Sequence, residues 1–326
     1  MPHRSRRPQR SQRSQRSQRS PRAPLAWAFA VFLACSAGVW ALHAVFVGTP
    51  AGQRLDAAGF VGARLGRRLV LGFADDFLLD TVSVAVVAAA CLAVAAIALA
   101  RRRPRVAIAA VVLIGGANGT TQVLKKLVFD RPDFGVTDAF ANSLPSGHTT
   151  VAASIVCALI LAVGPAARPL VAVIGAAYTA ATGVAVVIVA WHRPSDALAG
   201  ALVAAAWAAL VILAGDMARA PGGRRAGEPG PGPAAGGFQT AVRLALIGCG
   251  VLGLAAAAWT GVSLWPDVPR EGPVTAAEHL RRGVQTRAFA MTGLAVGATA
   301  CLADGAVLAL LPWRERKARR PRGAKA

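Results

Sequence analysis

Three short polar clusters interrupt an otherwise apolar chain, and each carries residue types suited to handling a phosphoryl group. "LPSGHTT" (144–150) falls where an apolar run begins. Ser146 is a favoured helix N-cap, Gly147 lets backbone N–H groups approach an oxyanion, and a helix start adds its positive end. His148, beside that nest, is placed to give a proton to a leaving oxygen. In "WHRPSDALAG" (191–200), His192 and Asp196 are four residues apart. Pro194 favours a first helical turn, which sets His192 at the turn and Asp196 just inside the helix. A carboxylate there can hold one imidazole nitrogen and leave the other free to attack phosphorus. "KKLVFDRPDF" (125–134) brings Lys125, Lys126 and Arg131 to the end of another apolar run. Asn118 and Gln122 lead up to them at helical spacing, as a polar stripe descending into the run.

Each cluster alone also has a plain reading. Lysines snorkel at membrane interfaces, histidines sit there, and an Asp three residues past a turn caps a helix. His192 and Asp196 also have the spacing of a metal pair. No further Cys, His or carboxylate cluster completes a ligand set, so no metal is expected. Together the clusters meet a specific demand: a phosphoryl transition state spreads charge over three oxygens and needs several fixed donors and cations.

The elements that must position these clusters are membrane-like. The chain has 326 residues, 55% of them hydrophobic, with mean hydropathy +0.50. Soluble domains of this length rarely reach that value. The net charge is +21, but the first 22 residues hold eight arginines, and the tail from Arg314 holds seven basic residues and one Glu. The two ends therefore carry +14 of the charge, as terminal arms that suit anionic lipid on the cytoplasmic side and not nucleic acid. The basic region is long and the apolar run behind it is of full spanning length, unlike a cleaved signal peptide. The five cysteines (Cys35, Cys91, Cys157, Cys249, Cys301) lie inside apolar runs without CxxC spacing and read as small packing residues.

Against the ~20 residues needed to cross a bilayer, the apolar runs predict about eight spans. They are 25–47, 81–100, 106–124, 149–163, 170–191, 197–214, 244–264 and 288–311, with 149–163 the shortest. The expected fold is all-α. A disordered basic arm (1–24) precedes a six-helix core (25–214) with every motif within 118–200. A Gly/Pro-rich cytoplasmic linker (215–241), a two-helix appendage (242–312) and a basic tail (313–326) follow. Lys/Arg bias places both termini and "RRRPR" (101–105) inside, and all three clusters outside. The outside segment 49–80 weakens that bias with Arg54, Arg64, Arg67 and Arg68, but it also holds Asp75, Asp76 and Asp80. Within it, "FVGARLGRRLVLGF" (60–73) has the pattern of an amphipathic helix lying on the outer surface. "GGANG" (115–119) and "GLAVG" (293–297) are small-xxx-small pairs read as helix-packing sites. Asp304, inside the last span, is a functional candidate or a packing acid.

In this order, on one side of six helices, the clusters resemble the type 2 phosphatidic acid phosphatase family of membrane lipid phosphatases. The resemblance covers about residues 80–214. That family's motifs are a Lys followed by Arg-Pro, then Pro-Ser-Gly-His, then Ser-Arg ahead of His-x-x-x-Asp. The second motif is complete at 145–148, and the third supplies His192 and Asp196. The resemblance implies a metal-independent reaction, with no cofactor, through a phosphohistidine. His192 would be the nucleophile, Asp196 its orienting partner and His148 the general acid. Lys125 or Lys126, Arg131, Ser146 and Gly147 would cradle phosphate. There are two departures. Five residues separate Lys125 from Arg131, and four separate Lys126, where the commonest spacing is six. Ala185 and Val186 stand where the Ser-Arg belongs, and Arg193 is the substitute cation that the sequence offers. The implied substrate is a lipid phosphomonoester or diphosphate at the outer face of the cytoplasmic membrane. The rivals are a phosphotransferase using the same histidine, and a catalytically weak lipid-binding or transport protein on the same fold.

Overall fold

The computed structural model describes residues 22–67, 84–137, 141–217, 233–274 and 281–311. These residues form nine α-helices: α1 (Arg22–Leu42), α2 (Pro50–Ala63), α3 (Val84–Ala100), α4 (Pro104–Val123), α5 (Gly147–Ala162), α6 (Arg168–Ile188), α7 (Pro194–Met217), α8 (Pro233–Leu264) and α9 (Arg282–Leu310). Long runs rich in Ala, Val, Leu and Ile make up most of these helices, and proline opens α2, α4 and α7, where its missing N–H has no helical partner to lose. Thr49 caps α2 by accepting the Gly52 N–H at 3.0 Å.

Six helical segments are long and apolar enough to cross a membrane: Leu25–Val47, Pro104–Val128, Arg168–Ile188, Pro194–Gly215, Gly236–Asp267 and Arg282–Leu310. The chain is therefore multi-pass in character. Helices also form at the two remaining expected spans, but Val87–Ala100 and Gly147–Ala162 fall short of the others. The 16 residues of α5 give it a length of about 24 Å, less than a ~30 Å hydrocarbon core. Large apolar side chains such as Leu92, Ile108, Leu170, Leu252 and Trp259 point out of the bundle, as helices bathed in hydrocarbon require.

α5 is buried along most of its length and packs against α3, α4, α6 and α7. α9 runs through the other side, against α8, α6, α2 and α7. Gly200 permits the α5–α7 approach, since a Cβ there would lie 2.7 Å from the Ser146 carbonyl oxygen. α2, the turns around 129–137 and 141–146, the start of α7 and the segment 265–274 gather at one end of the bundle. Gln53 Nε2 donates to the Pro132 carbonyl (2.9 Å), Arg54 Nη1 to the Pro269 carbonyl (2.8 Å), and the Val274 N–H to the Val136 carbonyl (2.8 Å).

Two expectations fail. The segment after the first span does not begin a surface helix at Phe60. Its helix is Pro50–Ala63, and Gly52, Gln53, Asp56–Gly59 and Val61–Ala63 are buried. The cause is α9, which covers α2 so closely that a Cβ on Gly62 would meet the Gln285 carbonyl oxygen at 2.6 Å. Residues 68–73 of that stretch, with Asp75, Asp76 and Asp80, lie outside the described residues, as do 1–21 of the basic arm, 218–232 of the linker, and 312–326. The small-xxx-small pairs do not pack either. A Cβ on Gly115, Gly119, Gly293 or Gly297 would meet nothing within 4 Å. The close contacts fall instead at Gly116, against Trp207, and at Gly250 and Gly253, against Ala298 and Leu302 of α9. A helix turns about 100° per residue, so a glycine one position along faces a different neighbour. The five cysteines are free thiols within helices.

Candidate active site

The third cluster is built by a tight reversal between α6 and α7. Ala190 takes a left-handed conformation (φ 65°), and the Trp191 and His192 N–H groups both return to the Val186 carbonyl, at 3.0 and 3.1 Å. α7 then opens with a capping box: Asp196, at the third helical position, accepts the N-cap Arg193 N–H at 2.9 Å. The same oxygen, Oδ2, lies 3.2 Å from His192 Nδ1 and accepts the Ser143 hydroxyl at 2.5 Å. His192, Arg193 and Asp196 are buried. The predicted His–Asp pairing is thus present, and it leaves His192 Nε2 as the ring nitrogen facing away from the carboxylate. Arg193 Nη1 donates to Ser143 Oγ at 3.1 Å, so Ser143 joins that guanidinium to Asp196. Val186 clusters with Ala63, Ile188 and Phe289. Where the family resemblance calls for an arginine, this chain packs apolar contacts with α2 and α9.

The second cluster meets the third edge-on. Ser146 caps α5: its hydroxyl oxygen accepts from the Thr149 N–H (3.4 Å) and the Thr149 hydroxyl (3.2 Å). Its own N–H donates to the Asp196 carbonyl at 2.8 Å, which ties the starts of α5 and α7 together. Gly147 opens the helix with free space on its Cα: the nearest atom to a Cβ there would be Gln122 Nε2, at 3.8 Å. His148 follows in the first turn. Its ring centroid lies 5.1 Å from that of Trp191 and 6.3 Å from that of His192. The two imidazole rings therefore stand edge to face, His148 from the first turn of α5 and His192 from the turn ahead of α7.

The first cluster is held beside the second through Asn142. α4 ends in a π-helical turn (Leu124–Val128), with the Phe129 N–H reaching the Leu124 carbonyl at 2.8 Å. Asn142 Nδ2 grips the Lys125 and Phe129 carbonyls, at 3.3 and 3.1 Å, and so holds this turn against the second cluster. Lys125 is half-buried and within electrostatic reach of Asp196, while Lys126 is exposed. This separates two lysines that spacing could not. Arg131 is half-buried, and its Nη2 is buried without a partner among the described residues. Burial and the like charge of Arg193 push its pKa down, against the pull of Asp56 and Asp196. Asn118 donates to the Ile114 carbonyl and, at 3.4 Å, to Ser154 of α5, so it faces inward as expected, whereas Gln122 of the same stripe is exposed.

Sequence reasoning missed Ser143, Asn142, Ser195 and Asp56. Asp56 comes from α2 and is 2% exposed. Its Oδ1 accepts the Ser195 N–H (2.9 Å), and its Oδ2 accepts the Ser195 hydroxyl (2.6 Å). Burial, and then the nearby Asp196 charge, raise the Asp56 pKa to about 6, against the lowering effect of the Ser195 bonds and Arg193. Local sequence carries only the buried seryl and prolyl signals of a helix start. Nothing around Asp56 points to a partner 139 residues away.

Among the described residues, no three His, Cys, Asp or Glu side chains are grouped to hold a metal ion. Asp304 does not join the site. It lies 22 residues beyond the start of α9, about 33 Å along the helix. There it faces α5, with Cys157 Sγ 3.9 Å from its Oδ1.

The PAP2 superfamily family model matches residues 82–219, which run from α3 to the end of α7 and contain all three clusters. No curated protein and no solved structure matches the chain.

Proposed function

From the match of residues 82–219 to the PAP2 superfamily model, we propose that this protein is a phosphatase of that kind, hydrolysing the phosphomonoester or diphosphate of a membrane lipid without a metal, through a phosphohistidine on His192. The observation that carries the reading is the pairing of His192 Nδ1 with Asp196, with the His148 ring centroid 6.3 Å from that of His192. Asp196 fixes the tautomer and leaves the Nε2 lone pair to attack phosphorus. The P–O bond to the lipid breaks as the P–N bond forms, and the leaving oxygen takes a proton from His148. A water molecule then gives a proton to His148 and attacks phosphorus. The P–N bond breaks, releasing inorganic phosphate and neutral His192.

The cations supply what this pathway needs. Arg131 has a buried N–H direction without a partner among the described residues, Lys125 is half-buried, and Gly147 opens a helix whose first N–H groups suit an oxyanion. Arg193 is a third cation, tied to the nucleophile's partner through Ser143. A lipid substrate fits a site at one end of a bundle of membrane-spanning helices, at headgroup depth. Lys/Arg bias supports the outer face of the cytoplasmic membrane for that end, with both termini inside.

The test is phosphate release by purified protein in detergent, with chelator present, from phosphatidate, phosphatidylglycerol phosphate, and polyprenyl phosphates and diphosphates. Release from at least one, with an acid-labile phosphoenzyme that His192→Ala abolishes, is the expected result. Near-normal turnover by His192→Ala defeats the mechanism. Phosphoryl transfer to an acceptor in place of water identifies the phosphotransferase.

A further inference from the structure

α2 lies outside residues 82–219, yet it delivers a buried carboxylate to the third cluster. The first turn of a helix leaves N–H groups without helical partners, and an N-cap side chain ordinarily takes one of them. At the start of α7 the N-cap is Arg193, which has no acceptor to offer. The Ser195 N–H goes to Asp56 instead, and the Ser195 hydroxyl follows it to the same carboxylate. Asp56 and Asp196 thus hold the same turn from two sides. Asp196 grips the Arg193 N–H from within, and Asp56 grips Ser195 from α2.

α2 is itself held at several points. Gln53 donates to the Val47 and Pro132 carbonyls, and Arg54 to the Pro269 and Gly272 carbonyls. A Cβ on Gly59 would fall 2.8 Å from Pro194 Cγ, so the helix lies directly on the residue that opens α7. The hold on Ser195 therefore comes from a wedged element and not from a swinging arm.

We infer that Asp56 is a positioning residue for the phosphatase reaction, fixing the Arg193–Asp196 turn through Ser195 and thereby the aim of His192. This inference rests on the function proposed above. A charged acceptor makes stronger hydrogen bonds than a neutral one and suits a helix N-terminus better. Among the described residues, the charged groups facing Asp56 are Asp196 of α7, its N-cap Arg193, and Arg131 from the turn after α4. α9 presents Met291 and Thr292 there, and the end of the first span presents Phe46. With a pKa raised to about 6, Asp56 is ionised above that value and loses its charge below it. Its hold on Ser195 weakens as pH falls through that region.

The experiment is steady-state kinetics of the full-length protein in detergent, on whichever lipid phosphate the wild type hydrolyses, from above the Asp56 pKa to below it. Asp56→Asn keeps the shape and removes the charge. It should lower kcat about tenfold above that pKa, the difference between a charged and a neutral hydrogen bond, and leave KM within about twofold. The wild-type kcat should contain an acid limb near pH 6 that the variant lacks. Ser195→Ala should lower kcat by a smaller factor, and the double variant should be no slower than Asp56→Asn alone, because both changes break one contact. Should Asp56→Asn not accumulate, Ser195→Ala and the wild-type pH profile carry the test. A wild-type kcat without that limb, a Ser195→Ala enzyme with wild-type kcat, or effects that multiply in the double variant would each overturn the inference. An inactive wild type would overturn the proposed function instead.

Discussion

Arg131 carries an unmet cost in the free protein, and that cost sets a prediction with two opposite signs. Its backbone is anchored on both sides: the Asp130 carbonyl meets His43 Nε2 at 3.1 Å, and the Pro132 carbonyl accepts from Gln53. Its Nη2 is nonetheless buried with no partner among the described residues. A buried donor left unpaired costs about 1–3 kcal/mol, more when charged. A substrate phosphate oxygen offset against that donor would turn the cost into binding. Arg131→Met keeps length and apolar packing and removes the guanidinium. Losing a charged hydrogen bond of ~2–3 kcal/mol predicts a fall in kcat/KM of roughly 30- to 150-fold. Removing an unpaired donor predicts unchanged or higher thermal stability in the same variant. Inorganic phosphate should raise the melting temperature of the wild type and do so less for Arg131→Met, since a ligand stabilises only through the state it binds. The assay pairs initial rates on the best lipid phosphate with thermal unfolding in detergent, with and without phosphate. A variant that keeps kcat/KM within about twofold and melts earlier would show that Arg131 is a structural strut, and the reasoning would be wrong.

Four further outcomes follow from the same geometry. His148→Ala should slow turnover least for substrates whose leaving group needs no proton; equal slowing of p-nitrophenyl and alkyl phosphates would remove His148 as the acid. Arg193→Lys keeps the charge but not the fork that reaches Ser143, so kcat/KM should fall about tenfold, and an unchanged value would assign the phosphate charge elsewhere. A membrane-impermeant maleimide should label intact cells carrying Asp133→Cys or Glu271→Cys and spare Ala166→Cys; strong labelling of Ala166→Cys would invert the topology. Gly62→Leu, whose Cβ would meet the Gln285 carbonyl oxygen at 2.6 Å, should lower melting temperature and kcat, while Gly293→Leu, with nothing within 4 Å, should leave both near wild type.

The parts of the site visible in the sequence are those that form within a few residues. A capping serine, a first-turn histidine and a His–Asp pair four apart are local geometry, and each stands where its helix start puts it: Ser146 caps α5, and Asp196 both caps α7 and meets His192. The all-helical fold was legible for a similar reason, because apolar runs of spanning length leave few alternatives. What escaped depends on which helix lies beside which. Asp56 and Ser143 are ordinary polar residues until α7 is set against α2 and the 141–146 turn. Gly116, and not Gly115 or Gly119, is the packing glycine because Trp207 happens to lie on that face. Lys125 and Lys126 are equivalent in sequence, and only the π-helical end of α4 turns the first toward Asp196.

The missing arginine at position 186 and the two added helices are connected by packing. Val186 is fully buried in a cluster with Ala63 of α2 and Phe289 of α9, neither of which belongs to residues 82–219. An arginine there would have to bury its charge among apolar side chains, at a cost of several kcal/mol unless paired. α9 is also what presses α2 down: Gly62 touches its backbone, and Gly59 lies against both Thr292 and Pro194. Phe289 of α9 and Ala63 of α2 thus give position 186 an apolar surrounding. Through α2, α9 also backs Asp56 against the helix start that follows Arg193. The same contact with α2 that keeps position 186 apolar also sets Asp56 against Ser195, two residues from Arg193. α9 thus joins the core directly, against α6 and α7, and also through α2, which carries Asp56 to the start of α7.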